Sequence, residues 1–123
     1  NLVHGQAVGL MLPHVVRYNC ADPAALRAYA DLASTPEIAS VSDGLEPACD
    51  ALVTRLEQLL NRAGFPRSLA ECGVPRSMIP TLAREAAQQW TAGFNPRKTE
   101  VDDFVGLYEA AFEPRREGVN RPI

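Results

Sequence analysis

Apolar residues recur at intervals of three and four along most of the chain, and no stretch alternates convincingly with a period of two. That pattern predicts helices joined by short turns and no sheet. The first helix is expected over about Gln6 to Tyr18, with Val8, Leu12, Val15 and Val16 as its buried stripe and Leu10 and Met11 widening it. Pro13 falls inside it, where a proline removes a backbone donor and crowds the preceding turn, so a kink or break is expected there. Asp22-Pro23 pairs a capping side chain with a residue suited to the first helical position. It opens a second helix to about Ala33, with Leu26, Tyr29, Ala30 and Ala33 on one face.

A polar loop is expected over 34–44, and a third helix over about Glu46 to Arg62 with an apolar stripe of Leu52, Val53, Leu56, Leu59, Leu60 and Ala63. Gly64 is placed to end it in a left-handed conformation, and Pro66 prevents its resumption. Ser68 to Glu71 has the spacing of a capping box around one short turn. Ser77 or Pro75 then opens a helix to about Trp90, using Ile79, Leu82, Ala83, Ala86 and Ala87. After a loop over 91–98, Thr99 is expected to cap a last helix, with Asp102 in the capping-box position and Val101, Phe104, Val105, Tyr108 and Ala111 on its inner side. The fold class is all-α, an irregular bundle of about five or six helices. Residues 1–112 form the helical domain, and 113–123 read as a tail.

Composition narrows the function classes. The chain has 123 residues, 46% of them hydrophobic and 22% charged, which suits one globular domain. Its net charge of −3 and scattered bases argue against nucleic-acid or acidic-membrane partners. No apolar run reaches the length of a membrane span, and the first residues lack the basic start and apolar core of a signal peptide. The opening at Asn1, in mid-pattern and without Met, predicts a fragment or processed piece. Cys20, Cys49 and Cys72 are odd in number and widely spaced, which does not suggest a disulfide framework; Cys20 and Cys49 sit in apolar neighbourhoods and are expected as small buried thiols, in keeping with a cytoplasmic location.

Candidate chemistry is sparse. His4 and His14 are ten residues apart, too far for two imidazoles on one helix to share a metal. No phosphate-cradling glycine loop and no nucleophile elbow is present. Asp102-Asp103 suits the positive end of a helix dipole better than acid–base work. Read from the residues alone, this is a soluble helical domain.

One continuous string changes that reading: His4-Gly5-Gln6-Ala7-Val8-Gly9-Leu10-Met11-Leu12-Pro13-His14-Val15-Val16-Arg17-Tyr18-Asn19. It resembles the iron-containing alcohol dehydrogenase family, in which a His-Gly pair precedes an apolar helix, Leu-Pro-His-Val and an aromatic-Asn pair. Further pieces stand in the family's order: Gly64-Phe65-Pro66, Cys72-Gly73-Val74, Ile79-Pro80, Asn95-Pro96-Arg97 and Tyr108-Glu109-Ala110-Ala111. The resemblance runs from about Leu2 to Phe112 and identifies the chain as the family's C-terminal helical domain.

The resemblance implies a metal-dependent NAD(P)-linked oxidoreductase that interconverts an alcohol and an aldehyde or ketone by hydride transfer. It implies a divalent metal, Fe2+ or Zn2+, in a cleft between this metal-binding and substrate domain and an N-terminal nucleotide-binding domain. One Asp and three His would hold it, and the last of these histidines falls on His4; the other ligands lie upstream. One imidazole is a poor metal site, so the chain alone is expected to hold neither metal nor NAD(P) and to be inactive. An exposed apolar patch around His4 and the first helix is expected where the upstream domain docks. A homodimer is compatible with the resemblance. Two departures stand out: Val8 replaces an Asn common four residues after the ligand His, and Val3 replaces a common Pro before it. His14 is not a ligand in the family's pattern. The competing reading is a stand-alone helical protein-interaction module without catalytic activity.

Overall fold

A computed structural model describes residues 4–35 and 44–113, with backbone alone at 4, 5, 90 and 91. Most of the loop over 34–44, and residues 114–123 of the expected tail, lie outside the described residues. Five α-helices are present among the described residues: α1 His4–Asn19, α2 Pro23–Ala33, α3 Leu45–Arg62, α4 Ile79–Gln88 and α5 Val101–Phe112. The fold is all-α, as the periodicity predicts.

α1 is the hub. It packs on α3 and α5, with a smaller contact to α2, while α2 pairs with α3 and α4 with α5. Leu10 sits against Leu69 and Ala111 under α5. Val16 meets Cys49 and Val53 of α3. Ala30, Ala33 and Ala48 let α2 and α3 approach closely, because methyl-sized side chains keep the helices near one another. Gly9 seats α1 on the loop after α3: a Cβ there would lie 2.6 Å from the Phe65 ring.

Local signals in the chain account for most helix ends. The Asp22 carboxylate accepts from the Ala25 amide at 3.0 Å, as a capping residue before Pro23 should. Gly64 has φ +77°, the left-handed value that glycine adopts without strain. The turn over 68–73 closes with Ser68 Oγ accepting from the Glu71 amide. That turn also donates its Leu69 and Ala70 amides to the Ala111 and Phe112 carbonyls, which have no partner within α5.

Four expectations are corrected. Of the kink or break expected at Pro13, the break is absent, since α1 is continuous from His4 to Asn19 with Pro13 on its buried side. The helix expected up to Trp90 is divided into a 3-10 turn Arg76–Met78, α4, and a 3-10 turn Trp90–Phe94. The cap of α5 is Glu100 with Asp103, one residue later than the expected Thr99 with Asp102. Glu100 leaves Thr99 on the wall of a cavity, and Asp103 accepts from the Glu100 amide at 2.9 Å. Lastly, the buried side of α1 is built from Gly9, Pro13 and Val16 together with Leu10, His14 and Tyr18. Val8 and Leu12, expected in the core, are 52% and 39% exposed, because α3 and α5 meet the helix from the other side.

Candidate functional site

α1 carries two distinct regions. Its head begins at His4, whose imidazole lies outside the described residues. One and two turns further on stand the exposed Val8 and Leu12. Residues four apart share a helix face, so Val8 and Leu12 leave a partly exposed apolar strip on this side of α1. Among the described residues, no three His, Cys, Asp or Glu are grouped so as to hold a metal ion. His14 is not brought to His4: ten residues of helix separate them by roughly 15 Å, and His14 is buried and engaged within the fold.

The tail of α1 is built differently. Asn19, 1% exposed, forms a reciprocal amide pair with Asn95: each Nδ2 donates to the other's Oδ1, at 3.0 and 2.7 Å. Asn19 also donates to the Tyr29 hydroxyl at 3.1 Å, and Asn95 to the Arg97 carbonyl at 2.6 Å. Beside this pair, the Tyr18 hydroxyl donates to the Lys98 carbonyl at 2.6 Å. Arg97 lies over the Tyr18 ring and donates to the Tyr18 carbonyl at 2.9 Å. Burial pushes the Tyr18 phenol above its ordinary range, against the lowering effect of Arg97. Burial also raises Tyr108, on α5, with Glu85 adding to the shift.

Tyr18, Asn19, Tyr29 and Asn95 form one wall of a cavity of about 530 Å3 between the end of α1, the turn at 90–94 and the start of α5. Val15, Asn19, Tyr29, Phe94, Phe104 and Leu107 are among its lining residues. It lies along α1 from His4 by roughly 16 Å, so it is separate from the head of the helix. Its polar atoms are largely committed to one another, and the network is a brace that holds the loop over 95–98 onto α1. Sequence reasoning singled out Tyr18-Asn19 and Asn95-Pro96-Arg97 only as pieces of a family pattern.

The cysteines overturn an expectation. Cys20 and Cys49 are joined in a disulfide between the turn after α1 and the first part of α3, 29 residues apart in sequence. They are not separate thiols, because packing Val16 onto Cys49 and Val53 carries the next turn of chain over α3. Cys72 is free and half-buried.

Comparison with known proteins accounts for this arrangement. The sequence profile described as "Fe-containing alcohol dehydrogenase family, C-terminal" matches residues 1–112. The chain belongs to this family. Among its relatives, the lactaldehyde reductase of Escherichia coli K12 is 37% identical over 112 residues, covering 91% of this chain and 29% of that protein. The 1,3-propanediol dehydrogenase of Klebsiella pneumoniae is 33% identical over 117 residues, covering 91% of this chain and 28% of that protein. The crystal structure of a 1,3-propanediol oxidoreductase superposes with a TM-score of 0.82 at 28% identity, covering 90% of this chain and 28% of that one. The chain therefore spans under a third of the length of these family members. Iron belongs to the family's description; among the described residues no three His, Cys, Asp or Glu are grouped to hold such an ion.

Proposed function

We propose that this chain is the C-terminal helical unit of a metal-dependent, NAD(P)-linked alcohol dehydrogenase, which interconverts an alcohol and an aldehyde or ketone by hydride transfer. The observation that carries the reading is the uncovered apolar side of α1. Val8 and Leu12 follow His4 at helical spacing, on the element that the rest of the bundle covers only from the other side. Covering two such aliphatic side chains is worth on the order of 2–4 kcal/mol, enough to favour a docked neighbour. That neighbour is the N-terminal nucleotide-binding domain of the same enzyme. It supplies the NAD(P) site and the remaining metal ligands, and His4 completes the set for Fe2+ or Zn2+. Residues 1–112 are the metal-binding and substrate unit, and 113–123 are a tail. The isolated chain is inactive and binds neither cofactor tightly. The names of the relatives, which concern lactaldehyde and 1,3-propanediol, support a small alcohol or aldehyde as substrate. Among the described residues no helix is long and apolar enough to cross a membrane; a place in the cytoplasm is part of this proposal.

The test joins this chain to the upstream portion of the E. coli lactaldehyde reductase, in place of that protein's own C-terminal region. Metal content is measured by elemental analysis, and NADH oxidation is followed with lactaldehyde. The joined protein is expected to hold about one metal ion per chain and to be active, and His4→Ala to lose both. Tight stoichiometric metal binding by the isolated chain would overturn the assignment, as would full metal content in the His4→Ala protein.

A further inference from the structure

We propose that Cys20 and Cys49 are a reversible redox clamp, closed as a disulfide and opened by a small monothiol, that fixes the end of α1 and the adjoining cavity wall to α3. The two sulfurs are unequally placed. Cys49 is 3% exposed inside the α1–α3 core, whereas Cys20 is half-buried in the turn after α1. An incoming thiolate therefore reaches Cys20 Sγ first. Its attack forms a mixed disulfide on Cys20 and expels the Cys49 thiolate, which takes up a proton. A second thiolate attacks the outer sulfur of the mixed disulfide and releases Cys20. The sum is one protein disulfide and two monothiols giving two protein thiols and one small disulfide. The reverse, with a small disulfide such as oxidised glutathione as oxidant, closes the clamp.

The position of the clamp gives it a consequence. Cys20 directly follows Asn19, whose amide bonds Tyr29 and Asn95 on the cavity wall. Its own backbone amide donates to the Val16 carbonyl, and the next two donate to Tyr18 and Asn19. With the bond closed, this turn is anchored to α3 through a covalent link spanning 29 residues of chain. With it open, the turn is held by its hydrogen bonds alone. Opening therefore loosens the end of α1, while α4, which packs on α5, is unaffected.

The test equilibrates the full 123-residue chain in graded mixtures of reduced and oxidised glutathione, then traps free thiols with an alkylating reagent. Peptide mass mapping assigns the trapped positions, and amide hydrogen exchange is followed in the same samples. Cys20 and Cys49 are expected to pass together from bonded to alkylated, reversibly, while Cys72 is alkylated throughout. Exchange at Cys20, Ala21 and Asp22 is expected to rise about tenfold on opening, with α4 unchanged. Cys72→Ser should leave the titration as it is. Alkylation of Cys20 and Cys49 at every mixture would overturn the proposal, as would a bond that opens only when the chain unfolds. Equal exchange at the turn in both states would also overturn it.

Discussion

The two halves of α1 solve opposite problems with one helix. The second half is covered by the chain itself: Val16 is buried against α3, Tyr18 and Arg97 stack, and Asn19 is engaged by Asn95 and Tyr29. The first half is seated on one side only, by Gly9 against Phe65 and Leu10 against Leu69 and Ala111, and it leaves Val8 and Leu12 uncovered. The difference separates what holds the bundle together from what the bundle offers outward. The satisfied half fixes the fold, and the unsatisfied half carries His4.

The strongest way to break the comparison is Asn19→Leu. It removes both bonds of the amide pair and the bond to Tyr29 at a position only 1% exposed, so a loss of about 3 kcal/mol is expected in urea unfolding. A cost under about 0.5 kcal/mol would mean that the tail of α1 is no better held than its head.

Gly9→Val tests the seat of the first half. A β-branched side chain must displace the Phe65 ring, and the expected cost is about 2 kcal/mol by thermal or urea unfolding. An unchanged midpoint would show that the head of α1 is not held down at Phe65.

Alkaline pH probes both halves together, since Tyr18 lies in the second and Tyr108 packs near Leu10 of the first. Both phenols are raised above their ordinary value in the folded chain. The folded state therefore binds these protons more tightly. Their stabilising contribution is complete below the unfolded value of about 10 and is lost as pH climbs through the higher folded values. Stability should fall steeply above about pH 10, and Tyr18→Phe should flatten the fall. A Tyr18→Phe profile that matches the wild type would remove Tyr18 from this account.

Val8→Asp and Leu12→Asp sharpen the comparison from the other side. In the isolated chain Val8→Asp should change stability by no more than about 0.5 kcal/mol, and Leu12→Asp, at a position 39% exposed, by about 1 kcal/mol. Joined to the upstream portion of a relative, the pair should impair assembly and metal retention. A loss above about 2 kcal/mol in the isolated chain would mean that these side chains are core after all.

Most of the bundle was legible in the sequence because its signals are local. Asp22-Pro23 marks the start of α2, Gly64 with Pro66 marks the end of α3, and the spacing of Ile79 and Ala83 fixes the inner face of α4. What periodicity could not give is which side of an apolar helix faces inward when most sides are apolar. α1 has Val or Leu on nearly every face, so Val8 and Leu12 fit a buried stripe as well as Leu10 and Val16 do. The choice is made by α3 and α5, far along the chain. The Asn19–Asn95 pair and the Cys20–Cys49 bond are contacts between distant segments, and nothing in their spacing announces them. His4 was singled out by its place in a family string, not by any physical pattern around it.

The central claim is that the His4 side of α1 is a docking face completed by the rest of the enzyme. The direct measurement is solvent paramagnetic relaxation of the Val8 and Leu12 methyl groups, in the isolated chain and in the protein joined to the upstream portion of the E. coli lactaldehyde reductase. Strong relaxation in the isolated chain and protection in the joined protein are predicted, with the buried Val16 methyls protected in both. Equal exposure of Val8 and Leu12 in the two proteins would contradict the account.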